Sequence, residues 1–152
     1  MAIEEHELQF DTISPTCAVT ITTTTPPVHV YRLQDFSRAT IDVWVDRMLE
    51  HLAAWDAHQS HPWLALHDLR AVSGLSSITP YVSQRFQDVA ENYAHLSGRV
   101  CFVANMPRFL ESLGRRVTYN FVNRNQPYIT PHMVDDFSAG MVWLLSDEPT
   151  TG

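Results

Sequence analysis

Lysine is absent from the 152 residues, so all ten basic side chains are arginine. Neither a Schiff-base lysine nor a P-loop lysine can therefore operate in this chain. Cysteine is scarce too. Cys17 and Cys101 stand far apart in apolar, strand-like surroundings, which suits small buried hydrophobes better than a disulfide framework. No run approaches the ~18 apolar residues of a membrane span. The opening Met1-Ala2-Ile3-Glu4-Glu5 lacks the apolar stretch of a secretory signal, and the cytoplasm is the expected compartment. Positive charge is short as well: 10 Arg against 17 Asp and Glu leave a formal net charge of −7. That sign is wrong for general nucleic-acid binding, which relies on neutralising phosphates. A Gly-x-Ser-x-Gly elbow and a Gly-rich phosphate loop are also missing, so no standard nucleophile or nucleotide motif is present.

What the chain does contain is enough for one core. Its apolar fraction of 45% and charged fraction of 18% are those of an ordinary globular protein. A domain of this length buries on the order of 70% of the surface that its unfolded chain exposes. Residues 1–16 are polar, end at Ser14-Pro15 and read as a loosely held lead-in; 17–146 read as the folded domain and 147–152 as a tail.

Within the domain, 17–24 and 28–33 are extended segments broken by Thr25-Pro26-Pro27, the pattern of a hairpin with a proline-bearing turn. A helix is expected after Thr40 as N-cap. At about 100° per residue, Ile41, Trp44, Val45, Met48, Leu49, Leu52 and Trp55 form one apolar stripe. A short strand over 63–69 follows. Thr79-Pro80 then opens a second helix, proline being favoured at the first helical position; its stripe is Val82, Phe86, Val89, Tyr93 and Leu96, and Ser97-Gly98 ends it. Val100 to Ala104 is the continuous apolar run of a strand covered on both faces. A third helix begins near Pro107 with the stripe Phe109, Leu110, Leu113, Val117 and Phe121. A last strand over 128–134 leads to a helix capped by Asp135 or Asp136 that buries Phe137, Met141, Leu144 and Leu145. The order ββαβαβαβα implies an α/β domain with one mixed, largely parallel sheet and right-handed crossovers.

The residues that could carry chemistry are few. His51, His58, His61 and His67 share one window beside Asp68, a combination that could hold zinc or nickel. Spacing opposes it: His51 and His58 would lie two helical turns and about 10 Å apart. His67-Asp68 could form a base and its orienter, but adjacent strand residues point to opposite faces. No catalytic, cofactor or metal site is expected. Arg108, Arg115 and Tyr119 share the face opposite the third helix's apolar stripe, a local arginine–tyrosine surface suited to an acidic partner. Trp143 points away from its own helix's stripe, towards a neighbouring helix or a subunit contact.

Two stretches carry a family resemblance. One is Leu64-Ala65-Leu66-His67-Asp68-Leu69-Arg70, an apolar strand closing on Asp-Leu. The other is Val134-Asp135-Asp136-Phe137-Ser138-Ala139-Gly140-Met141-Val142-Trp143-Leu144. With this element order, residues 17–146 resemble the SpoIIAA-like proteins, relatives of the STAS domains of sulfate transporters and anti-sigma-factor antagonists. The resemblance implies helices packed mainly on one side of the sheet and action through partner proteins. It also implies a phosphorylatable serine before the second helix. Ser73 is the counterpart, without the family's preceding Asp. The expectation is a non-enzymatic regulatory or scaffold domain, a homodimer, contacting a protein partner through Ser73, Arg108, Arg115 and Tyr119. The alternative is a carrier of a small apolar ligand or lipid held between helices and sheet.

Overall fold

In a computed structural model that describes residues 3–72, 80–105 and 128–146, six strands lie side by side in sequence order. They are β1 (Asp11–Ser14), β2 (Cys17–Ile21), β3 (His29–Leu33), β4 (Trp63–Asp68), β5 (Gly98–Val103) and β6 (Ile129–Val134). β1, β2 and β3 pair antiparallel, and β3 to β6 pair parallel. The helices among the described residues are α1 (Arg38–His58), α2 (Pro80–Asn92) and α3 (Phe137–Leu145). The mixed, mostly parallel α/β sheet is thus present as the alternation of segments implied.

Each strand of the parallel half divides its side chains between two cores, as a period of two requires. Tyr31, Leu33, Trp63, Ala65 and Val100 face α1 and α2. Val30, Leu64, Leu66, Cys101 and Val103 face α3. All six residues of β4 are buried, the signature of a central parallel strand covered on both sides. Two of the three described helices occupy one face. α3 covers the other, its Gly140 lying against Cys101 and Leu66.

The α1 stripe packs as its spacing predicts: Ile41, Trp44, Val45, Met48, Leu52 and Trp55 are buried, and Leu49 is half-buried. Its cap is different. Ser37, not Thr40, takes the N-cap position and accepts the Thr40 backbone N–H at 3.3 Å. Thr40 is instead fully buried, with its hydroxyl engaged by Asp35, Thr16 and Ser37. α2 opens at Pro80 as expected but stops at Asn92, short of Ser97-Gly98. There the Asn92 amide turns back onto the Asp88 carbonyl, and a separate turn joins Leu96 N–H to the Tyr93 carbonyl. α3 is capped by Asp136, whose carboxylate accepts the Ala139 N–H at 3.0 Å.

The segment read as a lead-in carries structure. Residues 11–14 form β1, and a 3-10 turn spans Glu5–Glu7. β1 was hidden because none of its four residues is fully buried; it is held by backbone pairing with β2 rather than by an alternating apolar face. Ile3, Leu8 and Phe10 pack onto the α3-side core, which ties the N-terminal segment to the sheet.

Candidate functional site

Position 67–68, at the carboxyl end of β4, is the chemical centre of the described structure. Open parallel sheets place their functional crevices at such strand ends. His67 and Asp68 are both 2% exposed and turn to opposite faces of the sheet.

On the α1–α2 face, His67 is enclosed by rings. Tyr31 and Phe102 stack on it with centroids 5.3 and 5.1 Å away, and Trp44 and Phe86 meet it edge-on. Trp44 Nε1 donates to His67 Nδ1 at 3.1 Å. An acceptor at Nδ1 in a neutral imidazole leaves the proton on Nε2. Burial in this apolar box pushes the imidazole down to about 3, so it is neutral at physiological pH.

On the α3 face, Asp68 organises two arginines. Its Oδ2 accepts from Arg32 Nε at 2.8 Å and Arg70 Nη2 at 2.8 Å, and its Oδ1 accepts from Arg70 Nε at 2.9 Å. Burial raises the Asp68 carboxyl, but the hydrogen bonds from Arg70 and Arg32 more than reverse this and hold it below the ordinary carboxylate range. Asp68 and Glu5 in turn push Arg70 up against the opposing effect of burial. Arg70 Nη2 donates to both oxygens of Glu5, at 2.7 and 3.0 Å. Phe10 lies 4.1 Å beneath the Arg32 guanidinium, and the Phe137 ring sits within 6 Å of both cations.

A third cluster joins β3 to α1. His29 stacks on Trp63 at 4.3 Å and lies 5.0 Å from His51; Tyr31 Oη and His51 Nδ1 share a 2.7 Å hydrogen bond. His29 Nδ1 is buried without a hydrogen-bond partner. Burial, reinforced by His51, pushes His29 down to about 4; His51 is lowered by burial and by Arg47.

The histidine window is therefore dispersed. His51 meets His29, which the window did not include, while His67 lies apart among aromatic rings. Half-buried His61 turns to the Pro62 carbonyl, and Trp55 Nε1 bonds the His61 carbonyl. No group of three His, Cys, Asp or Glu side chains among the described residues is arranged to hold a metal ion. Cys17 and Cys101 are free and buried, and burial pushes their thiols up to about 11 and about 12. Trp143 stacks on His132 at 4.7 Å, with Arg99 5.9 Å from its ring. Ser73, Arg108, Arg115 and Tyr119 lie outside the described residues, as does the whole of the expected 107–121 helix.

The missed side chains were Glu5, Arg32 and His29. Arg32 had a signal, a charge inside an otherwise apolar strand. Glu5 and His29 had none that separates them from surface residues.

No family model matches the sequence, and no curated protein matches it. A solved structure does. The crystal structure of an uncharacterized protein of the DUF3478 family from Shewanella loihica PV-4, described as having a SpoIIAA-like fold, superposes with a TM-score of 0.59. The match has 16% identity and covers 85% of this chain and 94% of that one. The fold is SpoIIAA-like. At this identity the likeness concerns architecture alone. In this SpoIIAA-like sheet the two faces of β4 are set by the strand's own alternation, and Phe137, next to the Asp136 cap, lies within 6 Å of both arginines. No described helix is long and apolar enough to cross a membrane.

Proposed function

We propose that this SpoIIAA-like chain is a non-enzymatic regulatory or scaffold domain of the cytoplasm that acts through protein contact and pairs with a second copy of itself. The observation that carries this reading is apolar exposure next to β6 and on α3. Tyr128, immediately before β6, is 64% exposed, and Val142, on α3 beside Trp143, is 58% exposed. Exposed apolar and aromatic side chains of this kind are enriched where proteins meet. The state of the reactive groups is in keeping: both thiols are silenced by burial, and His67 and Asp68 are turned away from one another. Ser73, Arg108, Arg115 and Tyr119 are the proposed contacts with a protein partner.

Analytical ultracentrifugation tests the pairing. Wild type should sediment as a dimer and Val142→Glu as a folded monomer; a monomeric wild type would discard the self-association. Reversing Arg108 and Arg115 to glutamate should abolish capture of a partner while leaving the circular dichroism spectrum unchanged.

One observation favours a carrier of a small apolar ligand as the second reading. The His67 imidazole is enclosed by Tyr31, Trp44, Phe86 and Phe102, a polar ring among apolar walls of the kind that small-molecule sites use. Native mass spectrometry distinguishes the two readings. A co-purified apolar ligand supports the carrier, and a mass equal to the bare chain after gentle isolation counts against it.

A further inference from the structure

The arginine pair on the α3 face is a carboxylate-binding site whose occupant is supplied by the chain itself. We infer that Glu5 is an internal ligand that caps this site, and that an external carboxylate takes its place when the N-terminal turn swings aside. The inference does not depend on self-association or on the box around His67.

Three observations carry it. First, the cations are set before any ligand arrives: Asp68, buried on β4, fixes Arg32 through its Nε and Arg70 through its Nε and Nη2. Fixed guanidinium forks match the planar geometry of a carboxylate. Secondly, Glu5 reaches the site across 65 residues of sequence and places both oxygens on Arg70. The turn that presents it is held by two short-range backbone bonds, Glu7 N–H to the Glu4 carbonyl and Leu8 N–H to the Glu5 carbonyl, and by partly buried Ile3 and Leu8 on either side of it. Thirdly, Glu5 fills the site imperfectly. Arg32 Nη2 lies 3.3 Å from Glu5 Oε2 but makes no hydrogen bond, although that nitrogen is buried. A carboxylate free of the turn can settle across both arginines and use the donor that Glu5 leaves unspent. Without Glu5, two arginines face the single carboxylate of Asp68, a local excess of positive charge on an acidic protein.

Arginine side-chain NMR tests this directly, because the Arg32 and Arg70 Nε–H groups are held against Asp68 and report on the site. Sodium acetate is titrated against chloride at constant ionic strength, with inorganic phosphate as the second probe. In Glu5→Gln, both Nε–H signals should shift saturably in the millimolar range, with an affinity about tenfold above that of wild type, where the tethered carboxylate competes. Adding Arg70→Gln should abolish the response. An absent shift in Glu5→Gln, or equal affinity with and without Glu5, overturns the inference; phosphate binding tighter than acetate overturns the carboxylate assignment. Should Glu5→Gln fold poorly, wild type supplies the same decision. Acetate should loosen residues 4–8, read as a fall in their heteronuclear NOE, and an unchanged NOE at saturation rejects displacement.

Discussion

The imidazoles of His29 and His51 face one another between β3 and α1 with ring centres 5.0 Å apart, and neither can take a proton without charging a crowded interior. Arg47 already lowers His51, and His61 and His51 both act against a charge on His29. With His67, three histidines are held neutral by burial, His29 titrating near about 4 and His67 near about 3. The unfolded chain takes up these protons near pH 6.5. The native state therefore binds fewer protons below that pH, and stability present above pH 6.5 is lost as pH falls towards the folded values. Urea unfolding should show a marked loss of stability between about pH 7 and about pH 5. His29→Phe, which keeps a ring against Trp63, should reduce that loss by roughly 2 kcal/mol. An identical loss in both proteins would remove His29 from the account.

Asp68 makes a second, separable contribution. Its side chain is 3% exposed and is bonded to two arginines that are each 27% exposed. Asp68→Asn keeps the shape and removes the charge, leaving both cations without their common anion. Loss of one partner from such a pair costs about 3 kcal/mol, so the urea midpoint should fall accordingly. Glu5→Gln, at a half-exposed position, should cost under about 1 kcal/mol. A similar loss in the two variants would contradict the central role given to Asp68.

Local pattern carried the architecture. The α1 stripe, the two-faced burial of β4 and β5, the Pro80 start and the Asp136 cap all follow from spacing within one segment. The β4 alternation also separated His67 from Asp68. What spacing does not encode is which distant segments meet. β1 lacks an apolar face and exists because β2 offers it a paired backbone. His29 acquires significance only beside His51 and Trp63, and Glu5 only beside Arg70. The Thr40 cap failed for a related reason. Thr40 and Ser37 both have the capping hydroxyl, and tertiary burial of Thr40 decides between them.

The thiols give a sharp test of the two cores. Cys17 belongs to the α1-side core and Cys101 to the α3-side core, and burial pushes them up to about 11 and about 12. Thiolate is the reactive form. Native protein should therefore leave both cysteines unreacted with Ellman's reagent at neutral pH, and both should react after denaturation. Fast reaction of Cys101 in native protein would mean that α3 lifts from the sheet, since Gly140 of α3 packs directly on its sulfur.

Gly98 begins β5 where three strands converge. Its φ is +153°, its N–H donates to the Tyr128 carbonyl at 3.2 Å, and the adjoining Ser97 carbonyl accepts the Trp63 N–H at 3.0 Å. A Cβ at this position would be driven into the Trp63 backbone carbonyl. Main chain cannot yield as a side-chain end can, so relief requires β4 and β5 to part at the Trp63–Gly98 pair. Trp63 is buried and stacked on His29, which carries the disturbance to β3. Gly98→Ala should consequently lose about 3 kcal/mol or more, far beyond the roughly 1 kcal/mol set by glycine's backbone freedom alone. Gly140→Ala meets only the Cys101 sulfur at 3.0 Å and the ends of two aliphatic side chains, and should lose less. Urea unfolding of the pair decides the matter: a Gly98→Ala protein as stable as Gly140→Ala would show that the start of β5 has room to move.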